Sequence, residues 1–202
     1  MTMKPLIIAL LLCGGIPVPG QVLQAIDTSE LPDELTASGS RLKHFARLDD
    51  GVYKGSAPRS DADYRFLQSL QVKYIVDLQV LPFMSLFEKQ KAKRYGITVI
   101  PGIMNASPIS PSEKHIDKIL ATLRDARYHP VYFHCRFGRD RTNIVAALYK
   151  IYFLGMSPQD APQYLRDSGY GYKNGWLRSG LTRYLKLHPT PPAGLVAAAE
   201  TQ

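Results

Sequence analysis

His134-Cys135-Arg136-Phe137-Gly138-Arg139-Asp140-Arg141-Thr142 holds a cysteine and an arginine separated by five residues, set between two apolar runs. Val131, Tyr132 and Phe133 read as a strand, and the stretch from Thr142 to Leu154 reads as a helix. A strand that turns through a short loop into a helix aims loop N–H groups and the helix N-terminus at one point, where a phosphate fits. Cys135 lies beneath that point as a nucleophile, and Arg141 can fork two phosphate oxygens. His134, Cys135, Gly138, Arg141 and Thr142 at this spacing arise by chance on the order of once in a million start positions. Arg136, Arg139 and Arg141 crowd one short loop, which serves no packing purpose.

The same residues define roles. An ordinary thiol has a pKa of about 8.5, and a helix N-terminus with nearby cations lowers it to roughly 3.5–7.5. The amides from Arg136, Phe137, Gly138, Arg139, Asp140 and Arg141 form the phosphate cradle. Gly138 lets the backbone turn its amides inward. The planar fork of Arg141 clamps equatorial oxygens in a way lysine cannot. Thr142 can donate its hydroxyl to the cysteine sulfur, and His134 orders the loop.

The loop resembles the signature of the cysteine-dependent, protein-tyrosine-phosphatase-like superfamily: His-Cys, five residues, Arg, then Ser or Thr. Gly51 to Pro58 resembles the first strand of its compact dual-specificity and phytase-like branches, and Tyr74 to Leu78 resembles their second. The likeness spans about residues 46–187. It implies an α/β single domain with a mainly parallel central sheet flanked by helices. It also implies phosphate monoester hydrolysis through a phosphocysteine, with no metal and no cofactor. In most of that superfamily an aspartate on a separate loop protonates the leaving oxygen. The corresponding stretch, Pro101 to Pro111, holds no Asp or Glu and carries Asn105 instead. Relatives of the myotubularin type carry an aspartate just before the arginine, which assigns the acid to Asp140. The alternative is a carboxylate that pairs with Arg136 or Arg139. An acid among these arginines must hold its proton against their charge, and a polyphosphorylated substrate offsets that charge.

The substrate expectation is therefore an inositol polyphosphate, as in the phytase-like branch. A dual-specificity or tyrosine protein phosphatase comes next, and a phosphoinositide phosphatase third. Two readings lie outside phosphatase chemistry: a phosphate-binding module without turnover, and a sulfur-transfer protein of rhodanese type. The latter's loop is one residue shorter.

The elements that must position the loop are legible in pattern. Ser60 and Asp61 open a helix with Tyr64, Leu67 and Leu70 at helical spacing. Tyr74 to Leu78 and Ile97 to Ile100 read as strands, with a helix from Pro82 to Gly96 between them. Ser110-Pro111-Ser112-Glu113 has capping-box spacing, followed by Ile116, Ile119, Leu120 and Leu123 on one face. Ser157 to Asp160 caps another helix, and Trp176 to Leu187 forms the last. Alternating strands and helices give right-handed βαβ units, with the active loop at the carboxyl end of a central strand. Asp77 reads as structural, and Tyr164, Trp176 and Tyr184 as core. Arg59, Lys91, Lys93, Arg94, Lys114, His115, Lys118, Lys173 and Arg178 are candidates to extend the pocket, each weighed against a solvated surface charge.

The chain has 202 residues and a formal charge of +8, enough length for one domain with its own core and a charge that favours acidic partners. No aromatic-and-basic motif or long Lys/Arg run points to nucleic acid. Residues 1–20 read as a signal peptide, with Lys4, an apolar core from Leu6 to Leu12 and small residues Val18 and Gly20 before Gln21. The protein is expected to be exported, periplasmic or secreted. Membrane attachment would require lipidation at Cys13. Cleavage would leave Cys135 without a disulfide partner. Residues 21–45 are expected to be a loose arm, and 188–202 a flexible tail.

Overall fold

The computed structural model describes residues 35–79, 82–102, 104, 113–170, 175–192 and 195. Residues 1–34, Asn105, Ser110 to Ser112, Lys173 and most of the stretch after Pro192 lie outside the described residues, as does the side chain of Trp176.

Strand β1 (Ala46–Asp49) and strand β2 (Val52–Ser56) form an antiparallel hairpin, and helix α1 (Asp61–Ser69) follows. Then come β3 (Tyr74–Asp77), α2 (Pro82–Lys93), β4 (Thr98–Pro101), α3 (Glu113–Arg124), β5 (Val131–Cys135) and α4 (Asp140–Phe153). Helices α5 (Ala161–Asp167) and α6 (Gly175–Leu187) close the domain. The five-stranded sheet runs β1-β2-β5-β3-β4. Central β5 pairs in parallel with both β2 and β3, and β3 pairs in parallel with β4. The mainly parallel sheet is the expected one, with an antiparallel edge strand added by the Asp50-Gly51 turn.

Strand β5 shows how the sequence sets two faces. Side chains alternate along a strand. Val131, Phe133 and Cys135 join the core beneath α3, α4, α5 and α6. Tyr132 joins the opposite core, with Tyr64, Phe66 and Leu67 of α1 and Ala92 of α2. Helix α4 buries every residue from Thr142 to Tyr149, so it lies inside the domain, with no water-facing stripe along that stretch. Helix α1 begins as expected: Ser60 accepts from the Asp63 amide, and the Asp63 carboxylate accepts from the Ser60 amide. Helix α3 buries the four apolar residues anticipated, Ile116, Ile119, Leu120 and Leu123.

Three expectations change at the margins. Helix α4 starts at Asp140, two residues before the expected Thr142, so Asp140 and Arg141 are its first residues. Residues 35–45 are not a loose arm. Leu42 is buried, the Lys43 amide donates to Ser56 Oγ at 2.9 Å, and the Ser56 amide donates to the Lys43 carbonyl at 2.9 Å. Phe45 packs edge-on against Phe66 at 5.1 Å and lies against Tyr132. These apolar residues have no periodic neighbours, so only tertiary docking reveals them. After Leu187 the chain also stays attached: Tyr152 donates its hydroxyl to the His188 carbonyl at 2.7 Å, and Leu195 is 1% exposed within the α4-side core.

Leu195 thus separates a free tail from a docked one. Leu195→Ala should lower unfolding free energy by about 2–4 kcal/mol in urea titration. A change within about 0.5 kcal/mol would return this residue to a free tail.

Candidate active site

The cysteine loop leaves the carboxyl end of β5 and enters α4. Gly138 sits at φ +70°, with a Cβ there meeting the Gly55 carbonyl carbon and Ser56 amide at 2.5–2.6 Å, so only glycine fits. The loop is also tied to its neighbours by backbone: Ala57 N–H donates to the Cys135 carbonyl at 3.0 Å, and Leu78 N–H to the His134 carbonyl at 2.8 Å.

Burial pushes the Cys135 thiol up, because its charged form loses water. Hydrogen bonds overcome this: the Thr142 hydroxyl and the amides of Thr142, Phe137 and Arg139 hold the thiol below its ordinary value. Thr142 is fully buried, and its Oγ accepts from the Cys135 amide at 2.8 Å while the hydroxyl serves the sulfur. The arrangement is a thiolate cradle at a helix N-terminus. Arg141 Nε is buried and meets no acceptor among the described residues. Arg136 and Arg139 are exposed around the mouth, and Arg136 lies over the Phe137 ring at 5.1 Å. Asp140 is half-buried at the first position of α4, and its charge reaches Tyr170, whose hydroxyl also receives the Arg178 amide.

His134 points to the other face, because it precedes Cys135 in the strand. It is fully buried, donates from Nε2 to Glu88 Oε1 at 2.7 Å, and has Asp77 Oδ1 at 4.0 Å from Nδ1. Burial pushes the imidazole down, but the Glu88 charge and hydrogen bond, with Asp77 and the Cys135 thiolate, raise it to about 9. An imidazolium in this position fits an ordering residue, since the sheet separates it from the mouth of the loop. Asp77, Glu88 and His134 are the one grouping among the described residues whose ligand atoms approach within 4.8 Å of each other. A cation there would have to displace the imidazolium proton.

Two contributors escaped the sequence reading. Lys54 in β2 is buried and donates from Nζ to Asn143 Oδ1 at 2.9 Å. Burial and Lys150 push it down to about 8, against the opposing pull of the Cys135 thiolate. Glu88, in the middle of a helix, carries no spacing signal; its role follows only from the packing of α2 against β5. Among the basic candidates, Arg59 lies beside the loop, while Lys91 is engaged with the Arg59 carbonyl at 2.7 Å and Asp61 at 3.1 Å. Lys93, Arg94, Lys114, His115 and Lys118 are exposed on α2, α3 and the turn after α2.

A helix-flanked parallel sheet whose central strand delivers a cradled cysteine to a helix N-terminus defines the tyrosine-phosphatase-like class of α/β proteins. The chain belongs to the tyrosine phosphatase family, whose profile matches residues 41–152. It is 31% identical over 112 residues to inositol diphosphatase DSP4 of Arabidopsis thaliana, covering 54% of this chain and 56% of that one. It is 27% identical over 126 residues to the dual specificity protein phosphatase TpbA of Pseudomonas aeruginosa, covering 62% and 54%. The chain therefore spans about half the length of the curated relatives it matches. The fold is that of the TpbA crystal structure (TM-score 0.58, 22% identity, 78% of this chain and 89% of that one). It is also that of the Siw14 catalytic core from S. cerevisiae (TM-score 0.59, 19% identity, 70% and 84%).

Two measurements check the electrostatics. Thr142→Val should shift the pH midpoint of Cys135 alkylation by iodoacetamide upward, because the sulfur loses a donor; an unmoved midpoint would remove Thr142 from the cradle. The raised His134 pKa gives stability that is complete below about 6.5 and lost as pH rises through about 9. Glu88→Gln should therefore destabilise by about 3 kcal/mol at pH 6, with the gap to wild type closing towards pH 10. A pH-independent gap would mean a neutral hydrogen bond.

Proposed function

We propose that this protein hydrolyses phosphate monoesters through a phosphocysteine intermediate and acts on inositol polyphosphates. The observation that carries the reading is the Cys135 thiol, held below its ordinary value in spite of burial by the amides and hydroxyl that also face an incoming phosphate. The family supports the chemistry, and the names of the Arabidopsis relatives support the substrate class.

The Cys135 thiolate attacks phosphorus in line. A phosphorus–sulfur bond forms and the bond to the ester oxygen breaks. Arg141 and the loop amides hold the equatorial oxygens as charge shifts onto them. Asp140, at the first position of α4, gives its proton to the departing oxygen. Water then attacks the phosphocysteine and returns a proton to Asp140, inorganic phosphate leaves, and the thiolate is restored. His134 takes no part in proton transfer in this scheme. It fixes the end of β5 through Glu88.

A second reading has its own support. Phe137 stands 55% exposed in the loop, a surface on which an aromatic leaving group can lie, and a solved TpbA complex contains phosphotyrosine. Phosphate release from phytate and from a phosphotyrosine peptide, with Cys135→Ser as control, decides between them. Faster release from phytate, lost in the variant, supports the proposal. Preference for the peptide transfers the protein to the protein phosphatases. Silence on both substrates would favour a binding module. Asp140→Asn should slow turnover of phytate by about 100-fold or more and that of p-nitrophenyl phosphate far less, since nitrophenolate departs without a proton. Equal effects would leave Asp140 as a loop-shaping carboxylate.

Export is part of the same proposal. It rests on Lys4, the Leu6 to Leu12 run and the small residues before Gln21. Expression in a Gram-negative host should yield periplasmic protein whose mass corresponds to a start at Gln21. Cytoplasmic protein of full mass would overturn it.

A further inference from the structure

We infer that the cleft beside the cysteine loop is a second anion site that holds a non-reacting phosphate of the substrate. The inference rests on the phosphatase reading above and narrows its substrate to molecules that carry neighbouring phosphates. The cleft has a volume of about 370 Å³. Arg41, Lys43, Arg59 and Ser60 line it together with Arg136 and Phe137 of the cysteine loop. Ala57, also in its wall, is the residue whose amide binds the Cys135 carbonyl, so the cleft and the nucleophile share one rigid frame.

The cleft has four cations and a single acid, Asp63. That carboxylate is taken up by three backbone amides and one hydroxyl. Oδ1 accepts from Ser40 Oγ at 2.8 Å and the Arg41 amide at 2.7 Å, while Oδ2 accepts from the Arg59 amide at 2.9 Å and the Ser60 amide at 2.8 Å. Burial raises Asp63, and these donors more than offset it, so it stays ionised and anchored. One carboxylate thus locks two separate segments together by their main chains. The side chains of Arg41 and Arg59 are exposed, and among the described residues no acid pairs with them, with Lys43 or with Arg136. Unpaired cations clustered at one cleft repel one another and favour a multivalent anion. Arginine forks match phosphate oxygens in pairs.

A single phosphate in the cysteine loop would leave this cleft unused. An inositol ring with phosphates on adjacent carbons fills both: one phosphate above Cys135 and the next among Arg41, Lys43 and Arg59. Specificity then resides partly on the segment before β1, outside the catalytic motif.

The test uses the full chain carrying Cys135→Ser, which binds without turnover. Calorimetric titration compares myo-inositol hexakisphosphate with O-phosphotyrosine, before and after adding Arg41→Ala and Arg59→Ala together. Hexakisphosphate affinity should fall at least tenfold more than phosphotyrosine affinity. Lys43→Ala should move it the same way, and Lys93→Ala with Arg94→Ala, exposed cations outside the cleft, should not. Equal losses for both ligands, no loss, or the same loss from the Lys93 and Arg94 pair would overturn the site. Turnover of hexakisphosphate by wild type is scored separately. A protein that binds selectively through Arg41 and Arg59 yet releases no phosphate refutes the hydrolase and keeps the site. One that hydrolyses phytate without such selectivity does the reverse.

Discussion

A buried thiolate is costly, and hydrogen bonds to Cys135 must outweigh that cost before the loop can do anything. Most of the surrounding structure serves this condition. Amides can converge on the sulfur only if the chain turns sharply after β5, which Gly138 permits by lying against Gly55 and Ser56 without a side chain. The turn holds its place because β2 runs beside β5 in register, with Ser56 opposite Cys135. Helix α4 must then begin at once, and its burial from Thr142 to Tyr149 prevents it from drifting. Thr142 joins the two halves of this arrangement, since one hydroxyl serves both the Cys135 amide and the sulfur.

The alternation of β5 divides labour between neighbouring residues. Cys135 faces α4 and the anion trap. His134 faces α2, where Glu88 and Asp77 keep it charged. A positive charge sealed beneath the strand adds to the field at the thiolate without competing for an anion in the trap. Lys54 adds a second sealed cation, bound to Asn143. The visible arginines of the loop are thus only part of the positive field. The remainder comes from residues whose partners lie far away in sequence.

That distance explains what the sequence revealed and what it concealed. The cysteine loop, the flanking strand and helix, the Ser60 cap and the apolar face of α3 were legible because each depends on residues a few positions apart. Strand β1 was missed although Asp50-Gly51 between Leu48 and Val52 is a hairpin signal; four residues were too short a run to stand out. Glu88 and Lys54 carry no local pattern, and the capping position of Asp63 shows only part of its role. Lys54 and Glu88 act on groups 89 and 46 positions away, and beyond its local cap Asp63 reaches Ser40 and Arg41, 23 and 22 positions back, through contacts that exist only in the assembled fold. Leu42 and Phe45 were hidden for the same reason, as isolated apolar residues in a polar stretch.

The depth of Cys135, only 3% exposed, has a consequence for its survival. The path that admits phosphate is the path any oxidant must take to the sulfur. A small peroxide can follow it, whereas a bulky disulfide cannot approach closely enough for exchange. Once a phosphate sits in the trap, its oxygens occupy the same donors and cover the sulfur. A bound phosphate is then also a shield, and the thiol is most vulnerable when the trap is empty.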